Sequence, residues 1–60
     1  MGLIKRVKPG MKVKSKVTGE IGTVIKEERY IDKTYIHIEL EERETRILKN
    51  ILNKMFERVE

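Results

Sequence analysis

The sequence predicts one small, mainly β domain of four to five antiparallel strands, with a C-terminal helix or helical turn. Three observations predict it. Residues 11–17, 21–29 and 34–40 are apolar runs that largely alternate with period two. Two glycines three apart, Gly19 and Gly22, punctuate the boundary between the first two of these runs. Apolar spacing turns helical only in the tail, from Ile47 onward.

Pro9-Gly10 is the first break, so a strand is expected directly after it. Met11, Val13, Ser15 and Val17 then share one face, and Lys12, Lys14 and Lys16 the other. "TGEIG" turns the chain into a second strand over residues 21–29, where Gly22 suggests a bulge or a close backbone approach. Asp32-Lys33 is a weak turn signal. The third strand, residues 34–40, puts Thr34, Ile36, Ile38 and Leu40 on one face and Tyr35, His37 and Glu39 on the other. A polar turn at Glu41-Glu42-Arg43 leads to a short fourth strand over residues 43–48. In the tail, Ile47, Leu48, Ile51, Leu52, Met55 and Val59 share one side of a helical wheel, with Phe56 at its edge. A helix from about 49 to 55 is expected, with residues 55–59 either extending it or closing the sheet. The expected core is Val13, Val17, Val24, Ile36, Ile38 and Leu52.

A chain of 60 residues buries only about 60% of the surface its unfolded form exposes. It contains no cysteine, which excludes disulfides and thiolate metal sites, and the lone His37 argues against a conventional zinc site. No cofactor is expected. No apolar run approaches the roughly 20 residues of a membrane helix, and "MGLIKRVKPG" lacks the apolar stretch of a signal peptide. The expectation is a cytoplasmic protein without a membrane partner.

The net charge of +4 conceals an asymmetry. Residues 1–19 carry six bases and no acid, whereas residues 20–60 carry eight bases and ten acids. Local potential, not total charge, steers a charged partner. Two segments are therefore distinguished: a basic N-terminal arm over residues 1–9 and a single domain over residues 10–60.

Gly10-x-x-Val13 followed by Gly19-x-x-Gly22-x-Val24 resembles the pattern of KOW and Tudor-like modules, which are small SH3-like barrels. "YIHIELEERETRIL" is similar to their third and fourth strands, although Glu41-Glu42-Arg43 replaces the usual glycine-containing turn. "ILNKMFERVE" is similar to their helical turn and closing strand. The resemblance spans about residues 10–59 and implies an SH3-like barrel. It also implies a binding role, toward nucleic acid or protein, since the fold alone does not choose between them.

The alternating lysines have two readings. They are a solvated strand face that also discourages edge-to-edge pairing, or a phosphate-binding platform. Alternate strand residues rise roughly 6.5–7 Å apart, comparable to phosphate spacing along a nucleic-acid strand. In the second reading Lys5, Arg6 and Lys8, on a flexible arm, extend Lys12, Lys14 and Lys16, and Tyr35 stacks on a base. The partner is then DNA or RNA, bound without sequence preference. The alternative is a protein-interaction module, a homodimer or an accessory subunit, using Ile51, Met55 and Phe56. His37 reads as a surface strand residue. Glu39, Glu41, Glu42 and Glu44 read as a solvated hairpin tip. No motif of an enzyme is present, so catalysis is not expected.

Overall fold

The computed structural model describes residues 3–59. Five strands form one antiparallel sheet: β1 (Lys12–Ser15), β2 (Ile21–Arg29), β3 (Thr34–Glu39), β4 (Glu44–Leu48) and β5 (Phe56–Arg58). A 3-10 turn (Lys49–Ile51) and a one-turn helix α1 (Leu52–Met55) join β4 to β5. The strand order is β4-β3-β2-β1-β5. The first four strands make a meander, and the tail returns across the sheet to pair beside the first.

Two glycines are placed by the backbone. Gly19 adopts φ +82°, the left-handed region that other residues avoid, and so completes the turn after β1. Ser15 starts that turn. Its buried hydroxyl accepts hydrogen bonds from the backbone N–H groups of Val17 (3.2 Å) and Thr18 (3.1 Å). This local bonding diverts the chain two residues before the alternation ends. Val17, expected in the core, is consequently 72% exposed. Gly22 is buried in β2, opposite Val13. A Cβ there would lie 2.7 Å from Ile38 Cγ2 and 2.8 Å from Leu40 Cδ2. It is the close approach suggested by the sequence.

The bulge lies further along. Val24 faces Ile38, yet Lys26 faces His37, so Ile25 is the extra residue. Beyond it the faces of β2 are exchanged. Glu27 stands opposite the buried Ile36, and Glu28 opposite Tyr35. The apolar alternation of β2 stops at this point, so an exchange of faces moves no apolar residue out of the core. Glu27 is satisfied at the core margin by Lys49 (3.0 Å).

The core consists of Ile4, Val13, Val24, Ile36, Ile38, Leu40, Leu52 and Phe56, with Val7, Met11 and Ile47 packed against it. Each fully buried side chain of this size contributes about 1.5–3 kcal/mol. The tail settles as helical turn and then closing strand. Phe56 is extended (φ −134°, ψ 159°), and its N–H bonds back to the Leu52 carbonyl. Leu52 and Phe56 point into the sheet, and Ser15 pairs with Phe56 on β5.

The N-terminal segment departs from expectation. Ile4 is in the core, its N–H donates to Asn53 Oδ1 (2.7 Å), and Asn53 Nδ2 donates to its carbonyl (3.0 Å). Ile4 and Val7, three apart among cations, anchor a segment expected to be a flexible arm. Residues 3–9 thus pack on the domain to which they were expected to be appended.

Candidate nucleic-acid interface

The side of the sheet away from the core is ordered by register. Lys14 stands between Glu57 of β5 and Ile21 of β2. Lys12 stands beside Thr23, which is followed by Glu39 and Glu44 on β3 and β4. The next row runs Lys26, His37, Arg46, and the last Glu28, Tyr35, Leu48.

Lys12 and Lys14 project from this outer face as expected, whereas Lys16 lies in the turn beyond β1, and the company of all three was not foreseeable from spacing. Lys12 Nζ donates to Thr23 Oγ1 (2.8 Å), and Lys16 Nζ donates to the Asn53 carbonyl (2.6 Å) within α1. Lys14 has no ion-pair partner among the described residues, although Glu57 is its neighbour in register. The proposed edge-protecting role is corrected: β1 lies between β2 and β5, so its lysines guard no edge.

Lys5, Arg6 and Lys8 do not extend this row. Together with Met11 and Arg58 they line a groove of about 350 Å³. Met11 and Arg58 share the core-side faces of β1 and β5, because each is two residues from, or directly opposite, the buried Val13. The groove therefore opens at the core-side rim, across β1 from Lys12 and Lys14. Among the described residues no acid lines it. Arg58 belongs to this group and was missed, because it lies 50 residues from Lys8 and only the β1–β5 pairing brings the two ends of the chain together.

Tyr35 is separated from the lysines by the rows containing Glu39, Glu44 and His37. It meets Tyr30 edge to face, with ring centroids 5.5 Å apart, and the Arg46 guanidinium lies 4.8 Å from its ring centroid. His37 Nε2 and Glu28 Oε1 are 2.7 Å apart, and Glu44 approaches the other ring nitrogen at 3.9 Å. Hydrogen bonds from the His37 imidazole and then the Tyr30 hydroxyl hold the Glu28 carboxyl below the usual carboxylate range. Among the described residues no group of three metal-ligating side chains is placed to hold an ion.

The residues expected at a protein interface divide. Phe56 is only 5% exposed and belongs to the core, since β5 needs an inward anchor opposite Ser15. It is withdrawn from the interface set. Ile51 is half-buried, and Met55 remains 38% exposed. Among the described residues, no helix is long and apolar enough to cross a membrane.

Comparison of the chain with family models, curated proteins and solved structures finds no match.

Proposed function

We propose that this protein is a small, non-catalytic, cytoplasmic binding module of KOW or Tudor-like type that holds the phosphate backbone of DNA or RNA. One observation carries the reading: Lys5, Arg6 and Lys8 line a single groove, beside Met11 and Arg58, in whose wall no acid stands among the described residues. Lys5, Arg6 and Lys8 also lack ion-pair partners among the described residues. Their charge is available to a ligand instead of being consumed within the fold. Lys12 and Lys14, across β1, and Lys16 in the turn after it add further cations at the same end of the sheet.

The chemistry needs only cations and contour. A phosphate backbone brings condensed counterions, and each lysine or arginine that replaces one releases it to solvent. Base identity is not read by such contacts, so little sequence preference is expected. If three to six phosphates are met, the log–log salt slope is about −2 to −5.

The test is titration of labelled DNA and RNA at low salt and upward, with two charge-reversal variants. Changing Lys5, Arg6 and Lys8 to Glu is expected to remove binding. Changing Lys12, Lys14 and Lys16 to Glu is expected to weaken it and make the salt dependence shallower. Absence of binding at about 50 mM salt, where phosphate contacts are strong, would sink the reading. A partner held through Ile51 and Met55 would instead bind with little response to salt.

A further inference from the structure

Two of the three aromatic residues in the chain meet at the end of the outer face remote from the lysines. With Ile31, Asp32, Lys33 and Arg46 they line a hollow of about 350 Å³. We propose that this hollow is a stacking site for an unpaired nucleobase, with Tyr30 as the stacking ring, and hence that the partner is single-stranded. The inference rests on the nucleic-acid reading above and narrows it.

The division of labour follows from what each group already does. Arg46 covers Tyr35, and Tyr30 packs edge to face against it. Tyr35 is therefore the support, and Tyr30, 47% exposed, is the ring left to a ligand. Tyr30 is also fixed in advance. Its N–H bonds to the Lys33 carbonyl (2.7 Å) across the β2–β3 turn, and its ring packs edge to face on Tyr35. A ring held in place loses little freedom on binding. Ile31, fully exposed at the tip of the turn, adds an apolar wall beside the ring. Lys33 and Arg46 supply cations for the adjoining phosphates.

A duplex keeps its base faces inside its own stack and offers this site only phosphates. A single strand offers a free face to Tyr30, and every base has one, so stacking adds affinity without adding sequence preference.

The decisive comparison uses a labelled oligothymidylate and an abasic strand of the same length and charge, with a duplex as a third ligand. The wild-type protein is expected to bind the thymine strand about tenfold more tightly than the abasic one, the scale of one stacked base. It is also expected to favour the single strand over the duplex. Tyr30→Ala should erase the thymine preference without changing the salt slope, and Tyr30→Phe should keep the preference. Circular dichroism would confirm that both variants are folded. The Lys5, Arg6 and Lys8 charge reversal should lower affinity for both strands alike. Equal binding of thymine and abasic strands, a preference for the duplex, or a preference that survives Tyr30→Ala overturns the stacking site while leaving backbone binding intact. Binding to none of the three ligands overturns both.

Discussion

The two ends of the outer face are built from the same alternation and behave differently. At the β1–β5 end, lysines find hydroxyl and carbonyl acceptors, and Lys14 finds no partner among the described residues. At the β3–β4 end, Glu28, His37, Glu44, Tyr35 and Arg46 engage one another. The mechanical support differs as well. β4 contributes five residues to its ladder, and β5 only three. The short strand is held by what lies behind it: Phe56 in the core, and Asn53 clasping Ile4. One end is a cross-linked surface on a long ladder, and the other is a cationic margin on a short strand fastened from inside. A side chain's face follows from its own strand, but its charge environment follows from the neighbouring strands.

The largest expected effect comes from removing that internal fastening. Phe56→Ala should destabilise the protein by about 3–5 kcal/mol through lost burial and a cavity, read as a lower melting temperature. If Phe56 were an interface residue instead, melting would be unchanged and association would be lost, which would break the comparison at its root.

Gly22→Ala tests the close approach shared by the two ends. The added Cβ meets Ile38 and Leu40 closer than side chains normally pack, with the Glu39 carbonyl oxygen 3.1 Å away. A cost of about 1–3 kcal/mol is expected from overpacking, measured by urea unfolding.

Asn53→Ala removes both hydrogen bonds to Ile4. The expected loss is about 1–3 kcal/mol, at roughly 0.5–1.5 kcal/mol for each bond. Hydrogen exchange should quicken first at Ile4, while β3 and β4 keep their protection. Uniform quickening would show that the two ends do not differ in local support.

The smallest effect belongs to the networked end. The Glu28 carboxyl is held below its ordinary value, so its contribution to stability is present above the unfolded-state pKa. That contribution is lost as pH falls through the lower folded-state value. Glu28→Gln should therefore be slightly less stable at neutral pH and converge with the wild type in acid, as followed by thermal melts from pH 7 to about pH 2. Parallel curves would show that the charge of Glu28 contributes nothing.

Period-two alternation was enough to locate the first three strands, to place Val13, Val24, Ile36 and Ile38 inside, and to set Lys12 and Lys14 on an outer face. These are local consequences of a backbone whose side chains alternate sides. Ser15 beside Thr18 and Gly19 carried a signal for the early end of β1, and Ile4 with Val7 one for a packed N-terminal segment. Both were local and legible, but alternation and positive charge masked them. The bulge at Ile25, the choice of β1 as the partner of β5, and the companies kept by Lys14, Arg58 and Tyr30 had no such signal. They depend on pairing between residues up to half a hundred positions apart, and that pairing is decided by which arrangement buries the core and satisfies the backbone together. The sequence alone determined which side of each early strand is apolar; only the tertiary structure decided where Val17, Ile4 and Phe56 lie, which cations have no partner among the described residues and which aromatic ring has no cover.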